Sequence, residues 1–156
     1  MPHQTKPQVL CVDDDVDACE MLSVLMRSYE INATCVSSAA EAWLAINNQT
    51  FDLYVVDGWL PQLDGFEFCR QLRETDAKTP IVFYSGAAYE ADKEKGMAAG
   101  ANAYIAKPNV DALLATMSSL IVKTSSPVAK FSPAQPERRS VSWFFPQFGT
   151  AGKALD

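Results

Sequence analysis

Six side chains in this 156-residue sequence combine type and spacing in a way that suggests chemistry. Asp13, Asp14 and Asp15 follow the apolar run 9–12, Asp57 closes the run 53–56, Ser85 follows 81–84, and Lys107 with Pro108 follows 103–106. If the four runs lie side by side, the carboxylates, a hydroxyl and an ammonium meet at one edge. Carboxylates packed that closely do not all stay ionised without a cation, so the cluster is either partly protonated or a site for a hard, oxygen-seeking metal. Magnesium fits best, because it takes one or two carboxylates, keeps waters and leaves positions for phosphoryl oxygens. Lys107 can then neutralise a phosphoryl group as a point charge, Ser85 can donate to one of its oxygens, and Asp57 is placed as the nucleophile. An unpaired carboxylate at the end of an apolar run is costly to bury, which makes a purely structural Asp57 a poor alternative.

Positioning these groups is the task of the elements between them. Five short apolar runs (9–12, 33–36, 53–56, 81–84 and 103–106) read as strands. Their nearly continuous apolar character predicts cover on both faces, as in a parallel sheet flanked by helices. Between them, apolar residues recur at the i, i+3 or i+4, i+7 spacing of a helical face: Ala18, Leu22, Leu25 and Met26; Ala39, Ala42, Trp43 and Ile46; Phe68, Cys69 and Leu72; Val110, Leu113, Leu114, Met117 and Ile121. The stretch 89–99 is a more polar helix. Ser38 with Glu41 and Asp64 with Glu67 have capping-box spacing, and Gly100 suits a left-handed helix stop. The order is (βα)5, which predicts an α/β fold with one doubly wound, parallel, five-stranded sheet, its ligands bound beyond the carboxyl ends of the strands.

Composition narrows the function classes. The hydrophobic fraction is 48% and the charged fraction 21%, an ordinary globular balance, and the length allows one domain with an appendage. The net charge is −6, and it is uneven: residues 1–123 carry 9 Lys/Arg against 17 Asp/Glu, the rest 4 against 2. That disfavours non-specific attraction to nucleic acid or to an anionic membrane. No apolar run nears the roughly 20 residues of a membrane span and residues 1–7 contain no apolar signal core, so a cytoplasmic protein is expected. Cys11, Cys19, Cys35 and Cys69 form no Cys-x-x-Cys pair and read as reduced core residues, and His3 has no partner at metal-ligand spacing.

Taken in order, the segments Val9-Leu10-Cys11-Val12-Asp13-Asp14-Asp15, 55–65 with Asp57, Pro61 and Asp64-Gly65, Val82-Phe83-Tyr84-Ser85-Gly86, and 100–108 with Tyr104 and Lys107-Pro108 resemble the receiver domain of two-component response regulators. The resemblance covers about residues 8–122 and implies the flavodoxin-like strand order 2-1-3-4-5. It implies that Asp57 accepts a phosphoryl group from a sensor histidine kinase or a phosphotransfer protein. It also implies that Asp14 and Asp57 ligate Mg2+ together with the backbone carbonyl of Trp59, while Asp13 holds the ion through water. Lys107 would pair with the phosphoryl group, Ser85 would bind one of its oxygens, and small Gly86 would leave the phosphorus approachable. Tyr104 takes the aromatic switch position, turning inward behind Ser85 and altering the surface of the fourth helix, fifth strand and fifth helix. A cis bond before Pro108 is implied as well.

Three positions depart from the usual pattern: Trp59, expected to shield an acyl phosphate from water; Ala87, two residues after Ser85; and Gly58, where an aliphatic residue is more usual. Two other functions stay open, a receiver-like binding module that is never phosphorylated and a phosphatase with Asp57 as nucleophile. Phosphatases of the haloacid dehalogenase type place a second Asp two residues on as acid/base, and here that residue is Trp59. Asp13, Asp14 and Asp15 also suit a helix start, where the dipole favours acidic groups. A calcium loop is rejected, since Ala18 and Val24 stand where Gly and Glu belong.

The implied organisation is an N-terminal extension at 1–7, a receiver domain at 8–122, and a Pro/Ser-rich linker with an aromatic tail at 123–156. The last segment is shorter than the roughly 40 residues that usually fold unaided, so no separate effector domain and no direct nucleic-acid contact are expected. Output is expected through protein contacts, on the face just named or on the aromatic segment 140–149. Such a chain is a phosphoacceptor, not an enzyme, with only its own phosphorylation and dephosphorylation chemistry.

Overall fold

The structure, a computed structural model, describes residues 5–124. His3, the linker and the aromatic segment 140–149 lie outside the described residues. Strands and helices alternate strictly: β1 (Gln8–Val12), α1 (Val16–Ser28), β2 (Asn32–Val36), α2 (Ala39–Asn48), β3 (Leu53–Val56), α3 (Gly65–Thr75), β4 (Ile81–Ser85), α4 (Glu90–Ala99), β5 (Ala103–Ala106) and α5 (Val110–Thr124). All four strand pairings are parallel and the order is β2-β1-β3-β4-β5.

Side chains alternate across each strand, and the two faces have separate cores. Leu10, Val12, Tyr54, Val56 and Phe83 point to one face, where Ala42 of α2 and Phe66, Phe68 and Leu72 of α3 pack on them. Val9, Cys11, Leu53, Val55, Val82 and Tyr84 point to the other and meet Leu22 and Met26 of α1 and Leu113, Met117 and Ile121 of α5. Cover on both faces is complete for the three central strands, whose residues from Val9 onward are buried. The edge strands β2 and β5 are only half-buried. An edge strand lacks one neighbour, so its apolar pattern overstates its burial.

The helix ends follow their local chemistry. Ser38 Oγ accepts the Glu41 N–H at 3.1 Å, but Glu41 turns back to the backbone N–H and hydroxyl of Ser37, one residue earlier than a capping box requires. Asp64 caps α3 through the Glu67 N–H at 2.8 Å, while Glu67 pairs with Arg70. Gly100 ends α4 with φ +115°, and a β-carbon there would press on the Arg73 side chain. Arg73 joins three segments: its guanidinium donates to the carbonyls of Asp76, Thr79 and Gly100 and to the Asn102 side chain. This brace between the ends of α3 and α4 has no signature in the sequence pattern.

Candidate functional site at the carboxyl edge of the sheet

Asp13, Asp57, Ser85 and Lys107 each sit at or one step beyond the end of a strand, with the backbone still held by the ladder. Asp13 N–H donates to the Val36 carbonyl of β2 at 3.0 Å, Asp57 N–H to the Val12 carbonyl of β1 at 3.0 Å, and Lys107 N–H to the Ser85 carbonyl of β4 at 2.9 Å. Register therefore sets the height at which the side chains leave the sheet. The strand order reverses direction between β1 and β3, which opens the crevice in which such folds bind ligands. Asp13 and Asp57 stand at that crevice.

Oxygens of Asp13, Asp14 and Asp57 lie within 4.8 Å of one another. Asp13 and Asp57 are buried and Asp14 is exposed. Lys107 crosses from the far side of the sheet, its Nζ 2.6 Å from Asp13 Oδ2 and 3.3 Å from Asp57 Oδ2. The second oxygens are held as well, Asp13 Oδ1 by the Asp15 N–H at 2.9 Å and Asp57 Oδ1 by the Trp59 N–H at 3.1 Å. Burial pushes the Asp13 carboxyl above its usual range, despite the Lys107 ammonium and the Asp15 N–H. Burial also works against the charge on Lys107, but hydrogen bonding to Asp13 and the attraction of both carboxylates outweigh it and raise the lysine above its ordinary value. One ammonium thus faces three carboxylates, and a divalent cation fits the remaining negative charge and the all-oxygen donor set.

The acidic triplet divides its labour. Asp15 is the N-cap of α1, accepting from the Asp17 and Ala18 amides at 3.0 and 3.3 Å. The helix-start reading is correct for Asp15, whereas Asp13 and Asp14 belong to the pocket.

Ser85 is fully buried, its Oγ accepting the Ala87 N–H at 3.3 Å. A β-carbon on Gly86 would meet nothing within 4 Å, so the approach over that residue is open. Tyr104 is already directed inward: its ring stacks on Phe83 at 5.5 Å and its hydroxyl donates to the Ala87 carbonyl. Phe83 in turn packs on Phe66 at 5.0 Å. The peptide bond between Lys107 and Pro108 is cis. The Trp59 indole is 57% exposed, so any cover it gives Asp57 requires it to fold over the pocket.

Three glycines explain themselves only here. A β-carbon on Gly65 would lie 2.0 Å from the Asp57 carbonyl oxygen, so the start of α3 can press on the acceptor strand only with glycine there. A β-carbon on Gly58 would meet the Phe66 ring at 3.1 Å, which gives a reason for its departure from an aliphatic residue. On Gly96 it would meet the Tyr104 ring at 2.8 Å and Phe83 at 3.0 Å, so α4 leaves room for the inward tyrosine. Asp64-Gly65 stood within the segment that carries the resemblance, with Asp64 as a cap; nothing signalled Gly96 or the stack of Phe66, Phe83 and Tyr104.

Residues 9–118 match the family described as "Response regulator receiver domain". A stretch of 131 residues is 37% identical to the response regulator MprA of Mycobacterium sp. (strain KMS), covering 81% of this chain and 56% of MprA. Another, of 108 residues, is 33% identical to a gliding motility regulatory protein of Myxococcus xanthus, covering 68% of this chain and 14% of that protein. Among solved structures, the receiver domain of the Francisella response regulator 1452 superposes with TM-score 0.73 at 28% identity, covering 77% of this chain and all of that one. The receiver domain of the sensor histidine kinase PA1611 from Pseudomonas aeruginosa PAO1, with a magnesium ion in its active-site cleft, superposes with TM-score 0.66 at 27% identity, over 76% of this chain and 96% of that one. With the family match spanning most of the chain and the strand-edge residues in place, this protein belongs to the response regulator receiver domains of two-component signalling.

Proposed function

We infer that the protein is a phosphoacceptor switch in which Asp57 receives a phosphoryl group from a sensor histidine kinase or phosphotransfer protein. The observation that carries this reading is the meeting of Asp57, Asp13 and Lys107, with Nζ 2.6 and 3.3 Å from the two buried carboxylates. Asp57 is pinned through Oδ1 by the Trp59 amide, which leaves Oδ2 as the oxygen for attack at phosphorus. Lys107 then leaves Asp57 Oδ2 free and holds a phosphoryl oxygen, with its tie to Asp13 as the anchor. Ser85 offers its hydroxyl to a second oxygen. Phosphoryl transfer needs mainly positioning and neutralised charge, which these groups provide.

Asp13, Asp14 and Asp57, with the Trp59 carbonyl, would hold Mg2+; the magnesium in the related PA1611 cleft supports this. The ion would supply charge neutralisation for the phosphoryl oxygens. Tyr104 would report the modified state to the surface of α4, β5 and α5, where a downstream protein docks, with the segment after α5 as a second contact. No helix among the described residues is long and apolar enough to cross a membrane, and the described cysteines are free, in keeping with a cytoplasmic setting. Trp59 in the second acid's place argues against turnover of an external phosphate ester, and hence against an enzyme.

The test is incubation with a small phosphodonor such as acetyl phosphate, with and without Mg2+. The intact chain should gain one phosphoryl group by mass only with the metal, and Asp57→Asn should gain none. Mg-dependent labelling of Asp57→Asn at the wild-type level would refute the assignment. A wild-type chain that binds Mg2+ yet stays unlabelled by donor and by kinase would favour the module that is never phosphorylated.

A further inference from the structure

Gly96 is the buried point at which α4 meets the aromatic residues behind the acidic pocket. A β-carbon there would stand 2.8 Å from Tyr104 Cδ2, 3.3 Å from its Cε2 and 3.0 Å from Phe83 Cδ2, so one of the three partners would have to shift. Phe83 has no room to do so: it is fully buried, with the Phe66 ring centroid at 5.0 Å and the Tyr104 centroid at 5.5 Å. The end of α4 is tied as well. The Gly96 carbonyl accepts the Ala101 N–H at 3.1 Å, the Cys69 thiol donates to the Ala99 carbonyl at 3.4 Å, and Arg73 Nε donates to the Gly100 carbonyl at 2.9 Å. Tyr104 is the partner that yields, half-buried on the edge strand β5, where a change of χ1 well swings the ring outward. Its inward place matters to the pocket. The Tyr104 hydroxyl donates to the Ala87 carbonyl, and the N–H of the same Ala87 donates to Ser85 Oγ at 3.3 Å.

We propose that Gly96 is a positioning residue of the switch: its missing side chain leaves the seat in which Tyr104 lies inward, behind Ser85, before any phosphoryl group arrives. The inference rests on the reading of Asp57 as phosphoacceptor and Tyr104 as its reporter, and it adds the residue that sets the reporter's resting position. Glycine is an unfavourable choice in a helix interior, because it loses more backbone freedom than alanine on folding and has no side chain to pack. At this turn of α4 only glycine leaves space for the ring. The consequence is a matter of populations. A protein that binds in one of two conformers shows an apparent affinity reduced by the fraction of molecules in that conformer. With Tyr104 already inward, a phosphoryl group at the pocket has no ring to recruit. Alanine at 96 makes the inward form the minor one, and a fall of its fraction to about one tenth weakens apparent binding about tenfold. That direction is opposite to the effect of helix propensity, since alanine strengthens a helix that glycine weakens.

The experiment labels the five tyrosines of the full-length chain with fluorotyrosine and reads fluorine NMR, the Tyr104 signal being assigned by its loss in Tyr104→Phe. Without Mg2+ or a phosphoryl mimic, wild-type Tyr104 should resonate at a ring-shifted position well apart from Tyr89, which is 79% exposed. In Gly96→Ala the Tyr104 signal should move towards that of Tyr89. A titration with beryllofluoride in the presence of Mg2+ should then show about tenfold weaker binding to Gly96→Ala. Adding Gly96→Ala to Tyr104→Ala, which has no ring to displace, should leave the affinity of Tyr104→Ala unchanged. A wild-type Tyr104 signal at the exposed position overturns the proposal, as does a Gly96→Ala signal that matches wild type. An equal loss of affinity in the Tyr104→Ala background overturns it too, because Gly96 then acts by packing alone. So does a Gly96→Ala chain that does not fold, since the ring then has no outward position to take. The ring is located with no phosphoryl group or mimic present, so a failure of Asp57 as acceptor is recognised separately, by the missing mass gain with acetyl phosphate.

Discussion

Asp57 and Lys107 are held by opposite constraints. The carboxylate is fixed by backbone, through its own N–H to Val12 and the Trp59 N–H to Oδ1, whereas the ammonium is held through side-chain carboxylates, by hydrogen bonds and charge to Asp13 and Asp57. That difference suits a pocket in which the acceptor must stay still and the lysine must change partners. Tyr84 shows the cost of building next to such a pocket. It is 2% exposed, its ring centroid lies 5.8 Å from the Lys107 Nζ, and its hydroxyl has no partner among the described residues. A buried unsatisfied hydroxyl costs about 1–3 kcal/mol. Tyr84→Phe should therefore fold with unchanged or higher stability, by up to about 1 kcal/mol in chemical denaturation. A clear loss would reveal a partner for the hydroxyl.

At the scale of elements, the contact between the start of α3 and the end of β3 controls the acceptor. Gly65→Ala puts a β-carbon 2.0 Å from the Asp57 carbonyl, a backbone clash that rotamer changes do not relieve. The expected cost is at least about 1–3 kcal/mol. A fall in melting temperature and a slower gain of phosphoryl mass should appear together. The other end of α3 is tied by Asp76, whose carboxylate accepts from the Lys78 and Thr79 amides at 3.1 and 2.9 Å and from the Tyr54 hydroxyl at 3.2 Å. Burial alone would raise the Asp76 carboxyl; donation from Thr79, Lys78 and Tyr54 outweighs it and holds the group below its usual value. A depressed folded-state value means stability that is present above the unfolded carboxyl value, about 3.9, and is lost as pH falls through the folded one. Asp76→Asn should flatten that part of the acid unfolding curve below about pH 4 while costing stability at neutral pH. An unchanged acid limb would exclude the linkage.

Across the whole molecule, the candidate metal site joins the ends of β1 and β3, with Lys107 reaching in from β5. A ligand there binds only when the sheet is assembled, because the unfolded chain does not bring Asp13, Asp14 and Asp57 together. Mg2+ at 100 times its dissociation constant should stabilise the fold by about 2.7 kcal/mol, seen as a rise in melting temperature that a chelator reverses. Asp13→Asn should largely lose that rise. It should itself melt no lower than the metal-free wild type, since it removes one of three carboxylates that share a single ammonium.

Much of this was legible in the residues themselves. The nearly unbroken apolar runs with helical stripes between them specify five parallel strands with two covered faces. Asp13, Asp57, Ser85 and Lys107 are readable because a strand end is a position that periodicity defines. Short-range chemistry was legible too, in Ser38, Asp64 and Gly100, because caps depend on neighbours a few residues apart. What depends on residues distant in sequence was not. Gly58 is an unexplained departure and Gly96 an ordinary glycine until Phe66, Phe83 and Tyr104 stack between them, and the Arg73 brace exists only once α3 and α4 end side by side. The half-exposure of Cys35 likewise follows from β2 being an edge strand, which strand order decides and apolar pattern does not. Periodicity tells each side chain which way to face; only the packed sheet determines what it meets there.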